Sequence, residues 1–265
     1  MSQASFLIGV EGNHDQAFIE RILHKSLKLQ KFKGTKEDLE ELDVNKIWRK
    51  FIPKYPTQKG RLYERLDMPS LLRSEDSNLL VGIYAGGGSK LVGNLKDKLS
   101  NISSYLDFLD GFAIIADSDK KMVTQVAENY AKELEDCFPG FISTQDCLGQ
   151  VVHNSLRLGL YILPNNKDQG VLETLLCQCG DFIYKDYMER AEDYLVKFSQ
   201  RETSHWSNFD REKAKIAAIA SILKPGKTNT TTITDNQWVS KETLEQLPDM
   251  VQLVRFLKEL LGIED

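Results

Sequence analysis

The chain has 265 residues, 41% of them hydrophobic and 28% charged, with a formal net charge of −5. That length buries a substantial core with room for an appendage, and the composition excludes a disordered chain, a membrane-embedded one and a basic nucleic-acid coat protein. No apolar run approaches transmembrane length, the start lacks a secretory pattern, and Cys137, Cys147, Cys177 and Cys179 show no paired CxxC spacing. The expectation is a cytoplasmic protein with reduced thiols and no membrane partner.

Phe6 to Val10 is a short apolar run that stops at Glu11 and Gly12, after which Phe18, Ile19, Ile22 and Leu23 recur at helical spacing. Strand, turn and helix follow. From about residue 30 to 70, charged stretches alternate with Trp48, Phe51, Ile52, Tyr55 and Leu62, which reads as an insertion with short helices. Between His24 and Arg65 there are 12 Lys or Arg against 6 Asp or Glu, so this stretch carries +6 and the remainder −11. Lys46, Arg49, Lys50 and Lys54 are its candidate phosphate contacts, against the alternative of a solvated helical face.

Leu79 to Tyr84 is a second strand, followed by Gly86, Gly87, Gly88 and Ser89 and a helical pattern through Leu99. Phe112 to Ala116 is a third, ending at Asp117-Ser118-Asp119 before a long helix that carries Val123, Val126, Tyr130 and Leu134. Leu158 to Leu163 is a fourth, closed by Pro164-Asn165-Asn166, and Gly170 opens another helix. Strands alternating with helices predict a parallel sheet. After Asp181 the helical patterns are Ile183 to Gln200, Asp210 to Leu223 and Pro248 to Leu261, whereas Thr228 to Thr234 has no hydrophobic period and reads as a loop or a short edge strand.

In an open parallel sheet the productive crevice lies beyond the carboxyl ends of the strands. Glu11, the triple glycine, Asp117 and Asp119 all stand there. Two carboxylates one residue apart in extended backbone point the same way and repel unless a cation lies between them, and hard Mg²⁺ suits such oxygens. A lone acid at a strand end also serves as a turn former or helix cap, so the weight falls on three acids at two strand ends. Asp15, a helical turn beyond Glu11, either faces it or answers the helix dipole. The glycines predict free backbone N–H groups for a phosphate oxygen. No P-loop or dinucleotide fingerprint is present.

The string Val10-Glu11-Gly12-Asn13-His14-Asp15, together with Ala116-Asp117-Ser118-Asp119, resembles the Toprim signature of topoisomerases, primases, RNase M5 and OLD-type nucleases. Leu163-Pro164-Asn165-Asn166 with Gly170 and Glu173, Lys213-Ala214-Lys215-Ile216 and Pro225-Gly226 are similar to a family of bacterial Toprim-like proteins, and that likeness spans nearly the whole chain. The resemblance implies an α/β fold: a Toprim-like metal-binding domain over 1–180, with a basic helical insertion at about 30–70, and a helical extension over 181–265 packed on it. It implies acid–base chemistry for Glu11 and Mg²⁺ or Mn²⁺ held by Asp117 and Asp119; Glu173, which a strand, a turn and a glycine bring to the same edge, is a candidate second-metal ligand, and Glu11 and Asp15 are further candidates. By likeness to OLD-type nucleases, Lys213 or Lys215 is the catalytic lysine, against a solvated helix face.

The expected function is a metal-dependent nuclease that hydrolyses phosphodiester bonds in RNA or DNA. Resemblance to PARIS and OLD-like systems implies an effector of anti-phage defence, working beside a separate ABC-type ATPase because this chain carries no ATPase motif. Self-association is compatible with the same setting. The competing expectation is a non-catalytic Toprim-like module that binds protein or RNA.

Overall fold

The computed structural model describes residues 3–44, 46–51, 69–141 and 147–263. The chain opens with β1 (Ala4–Val10) and α1 (Asn13–Leu27), then β2 (Gln30–Lys31), α2 (Lys36–Leu42), α3 (Trp48–Phe51), β3 (Ser70–Arg73) and β4 (Leu79–Ala85). It continues through α4 (Leu91–Ser100), β5 (Gly111–Asp117), α5 (Val123–Leu134), β6 (Val151–His153), β7 (Arg157–Leu163) and α6 (Leu172–Ile183). Five helices complete it: α7 (Lys185–Leu195), α8 (Asp210–Leu223), α9 (Asn229–Asp235), α10 (Lys241–Gln246) and α11 (Pro248–Leu261).

Among the described residues the strands form one seven-stranded sheet in the order β2-β3-β4-β1-β5-β7-β6. The central β4, β1, β5 and β7 run parallel, while β2, β3 and β6 are antiparallel additions at the two edges. The protein is therefore α/β, with a largely parallel sheet flanked by helices. The antiparallel strands were hidden because each is only two to four residues long, too short for a periodic signal.

Both faces of the central strands are covered, which explains their continuous apolar runs. Phe6, Ile8 and Val10 of β1 meet α1, α6 and the helices from α8 to α11 on one face. Leu7 joins Phe112, Ile114, Leu158 and Leu160 on the other, under α4 and α5. Because β4 and β5 lie on opposite sides of β1, the chain changes direction across the sheet beside the carboxyl end of β1. That switch is where a crevice opens in such folds.

One expectation changes here. Thr228 to Thr234 is not a loop or strand but lies largely in α9, whose Ile233 and Thr232 are buried and which packs on α1. Thr228 caps it by accepting the Thr231 N–H, and Thr232 and Thr234 return their hydroxyls to carbonyls four residues back. Tertiary packing outweighs the weak helix propensity of threonine here. The basic stretch carries α2 and α3 and packs on the sheet, with Leu39, Leu42, Ile47, Trp48 and Phe51 buried with Leu80 and Tyr84 in the second core. Ile52, Lys54, Tyr55 and Leu62 lie outside the described residues.

Candidate functional site

The parallel strands deliver their carboxyl ends to one edge of the sheet, in the register Val10 beside Ala85 and Ile115, and Asp117 beside Leu163. Glu11 leaves β1 there, and Asp117 ends β5. Asp15 rises from the first turn of α1 and Glu173 from the first turn of α6, where the positive end of each helix dipole favours an acid.

Glu11 is held by its own backbone. Its carbonyl accepts the N–H groups of Gly87 (2.9 Å) and Gly88 (2.8 Å), while Gly86 donates to Val10 (2.9 Å). This corrects the expectation for the triple glycine: these amides are spent on the neighbouring strand and are not free for a phosphate oxygen. The positive φ of Gly87 (82°) and Gly88 (65°) lets the chain turn back toward β1, which a side chain would resist.

A second latch joins the loop after β5 to the loop before α6. Ser118 and Asp119 donate their N–H groups to the Gly170 carbonyl (3.1 and 3.0 Å), and the Gly170 N–H returns to the Ser118 hydroxyl (2.7 Å). Asp117 Oδ1 accepts the Leu172 N–H at 2.8 Å, satisfying an orphan donor at the start of α6. Gly170 fits because a Cβ there would stand 2.8 Å from Pro164 Cδ. Asp117 and Glu173 are thus fixed relative to each other across a long sequence separation.

The carboxylates feel one another. Burial first, then Asp15, Glu11, Glu173 and Asp119, push the Asp117 carboxyl up to about 9. Burial, followed by Glu11 and Glu173, raises Asp15 to about 7 although the Gly12 N–H opposes the shift. Glu11 is raised by burial and by Asp119, against the Tyr130 hydroxyl, the Asp117 backbone and Lys121, which favour its charge. His14 Nδ1 stands 3.7 Å from Glu173 Oε1, and that partner raises the imidazole above its ordinary value. Loss of water is the largest cause for the three acids, with repulsion between like charges added, whereas the imidazole is raised by its bond to Glu173.

The donor set is all hard oxygen, which suits Mg²⁺ or Mn²⁺. Among the described residues no three His, Cys, Asp or Glu side chains already stand as a ligand group for one ion. One oxygen of Asp117 and one of Asp15 are engaged by backbone N–H groups, at 2.8 Å each. The five acids Glu11, Asp15, Asp117, Asp119 and Glu173 share an edge and a field.

The candidate lysines go elsewhere. Lys215 Nζ lies 2.6 Å from Glu192 on α7, so its charge is tied into a helix-to-helix ion pair. Lys213 is exposed on the first turn of α8, within electrostatic reach of Asp210 and Glu212. Neither ammonium bonds one of the five carboxylates among the described residues. Arg49 is also reassigned, because its Nε lies 3.6 Å from the buried Asp43 carboxylate and its Nη2 donates to the Asp43 carbonyl (3.3 Å). A buried acid needs that partner. Lys46 and Lys50 are exposed.

Three residues with no local signal enter the site. Tyr130 of α5, expected only as part of an apolar stripe, donates its hydroxyl to Glu11 Oε1 at 3.3 Å. Glu212 on α8 has a buried Oε2 without a hydrogen-bond partner and feels Glu173. Ser118, between the two aspartates, ties the loops together.

The model of the family described as "Protein of unknown function (DUF3226)" matches residues 5–262. The chain belongs to that family. No curated protein matches it. The crystal structure of a hypothetical protein from Pyrococcus horikoshii OT3 aligns over 99% of this chain and 96% of its own, with 18% sequence identity and a TM-score of 0.46.

The raised carboxyls carry a pH dependence. Asp15 and Asp117 hold a proton in the native state that the unfolded chain has released above pH about 4, so native stability falls as pH rises toward 7 for Asp15 and 9 for Asp117. The slope is on the order of 1 kcal/mol per pH unit for each such group. Thermal melts of metal-free protein are expected to drop between pH about 5 and about 8, and Asp15→Asn to shallow the drop. Melts that are level or rise over this window, in both proteins, contradict the electrostatic account.

Proposed function

We propose that this protein is a Mg²⁺- or Mn²⁺-dependent nuclease that hydrolyses phosphodiester bonds in RNA or DNA. One observation carries the reading. Three separate chain segments bring Glu11 and Asp15, Asp117 and Asp119, and Glu173 to one sheet edge, where burial and then the neighbouring charges raise Glu11, Asp15 and Asp117. A fold does not gather five acids at the switch point of a sheet for stability, because the repulsion costs free energy that a neutral residue would not.

A bound divalent cation supplies charge neutralisation and polarises a phosphoryl oxygen. Asp117, Asp119, Asp15 and Glu173 would hold it. Glu11, fixed through its carbonyl and raised by burial, is suited to take a proton from the attacking water at a carboxylate oxygen. The resemblance of Val10 to Asp15 and Ala116 to Asp119 to the Toprim signature supports the same assignment, and it alone supports a cytoplasmic defence effector beside a separate ATPase. No helix among the described residues is long and apolar enough to cross a membrane.

The test is cleavage of single- and double-stranded RNA and DNA with Mg²⁺ or Mn²⁺, against the same reaction in chelator. Metal-dependent cleavage that Asp119→Ala removes supports the reading. If the wild type binds RNA or a protein partner and never cleaves, the protein is instead a binding module.

Lys46 and Lys50 stay exposed, and Lys54 lies outside the described residues. Replacing all three by alanine while keeping Arg49 for Asp43 should weaken nucleic-acid binding. The salt slope should fall by roughly 0.7–0.9 for each lost phosphate contact. Metal affinity should hold. An unchanged slope returns the stretch to a solvated face.

A further inference from the structure

We propose that the Tyr130 hydroxyl is the positioning group for the Glu11 carboxylate, an inference that rests on the hydrolytic reading of the site. Glu11 is pinned at its carbonyl by Gly87 and Gly88, but its side chain keeps several rotatable bonds. The only side-chain hydrogen bond to its carboxylate among the described residues comes from Tyr130, which is 119 positions away in sequence and bonds Oε1 at 3.3 Å.

Tyr130 is placed by the core. Val123, Val126, Ala127, Ala131 and Leu134 turn the buried face of α5 toward the sheet, and Tyr130 follows Val126 by four residues on the same side. Its ring packs against the second core, so a phenylalanine would fill the same space. The hydroxyl adds nothing to that packing and reaches the acid instead. A phenol hydroxyl facing a carboxylate is the O–H donor of the pair. It engages Oε1.

At 3.3 Å the bond is longer than the usual 2.7–2.8 Å for two oxygens. It orients more than it binds. Loss of the hydroxyl should let the carboxylate sample rotamers that face away from the substrate. Tyr130→Phe is therefore expected to lower kcat by roughly 10-fold, the worth of one hydrogen bond to a charged group. KM and Mg²⁺ affinity should stay within about twofold, since among the described residues the Tyr130 hydroxyl bonds Glu11 and none of the other four acids.

The experiment combines two readouts on full-length protein. Single-turnover cleavage is measured for wild type, Tyr130→Phe, Glu11→Gln and the double variant. The carboxyl ¹³C signal of Glu11, assigned by its loss in Glu11→Gln, is followed in metal-free wild type and Tyr130→Phe. A shifted signal, a kcat loss without a KM change, and a double variant no slower than Glu11→Gln alone support the proposal. An unmoved signal overturns it, as does a double variant slower than Glu11→Gln by the full Tyr130→Phe factor. If wild type cleaves nothing, the nuclease reading fails separately and the carboxyl signal alone decides whether Tyr130 positions Glu11.

Discussion

Asp117→Asn should abolish metal-dependent cleavage while leaving the metal-free protein at least as stable as wild type. The amide keeps an oxygen to accept the Leu172 N–H, so α6 retains its partner and Glu173 its place. It removes an ionisable carboxyl whose charged form burial and four neighbouring groups disfavour, so folding no longer has to take up a proton there. Asp117→Ala also loses cleavage but gives up the bond to Leu172, a cap-like contact worth about 1 kcal/mol, which partly cancels the relief of repulsion. The activity loss should reach roughly 10³-fold, because Lewis-acid stabilisation is worth several kcal/mol and each 1.4 kcal/mol is tenfold. Calorimetric titration with Mg²⁺ and Mn²⁺ and thermal melts on the same preparations separate the two effects. Cleavage by Asp117→Asn at the wild-type rate would remove the residue from the metal site.

The strands that carry this edge were legible because their signals are local. Residues 6–10, 112–116 and 158–163, within β1, β5 and β7, are continuous apolar runs cut off by an acid or a proline, and such runs occur where both faces of a strand are covered. The helices Asp210–Leu223 and Pro248–Leu261 were equally plain from their periodic apolar positions. The polar partnerships were not. That Gly87 and Gly88 would spend their amides on Glu11, that Arg49 would answer a buried Asp43, or that Lys215 would turn to Glu192 depends on contacts between distant segments. Residue type told which groups had chemistry to offer. Only packing decided which of them had already spent it.

The same distinction separates the acids. Asp15 and Asp117 each commit an oxygen to a backbone N–H and help to hold their helices, so their replacement disturbs structure and charge together. Asp119 is exposed, with φ at +50°, and only its backbone is latched to Gly170. Its side chain is the freest of the five to move onto a cation. Glu173 is buried beside His14, which ties its charge to an imidazole whose own proton it stabilises.

Glu11→Gln should leave nucleic-acid binding and affinity for at least one metal ion intact while slowing turnover by roughly 10²–10⁴-fold, the range for loss of a general acid or base. The geometry sets Glu11 apart from the aspartates. Asp117 ends β5 and Asp119 stands in the turn just beyond it, whereas Glu11 arrives from the neighbouring strand with its backbone fixed by two glycine amides. Glutamine keeps the size and an oxygen for the Tyr130 hydroxyl, but it cannot take a proton. Removing a charge that burial and Asp119 disfavour should also raise metal-free stability rather than lower it. Single-turnover cleavage and metal titration on one preparation decide the role. Metal affinity lost in proportion to cleavage makes Glu11 a ligand, and unchanged cleavage removes it from the reaction.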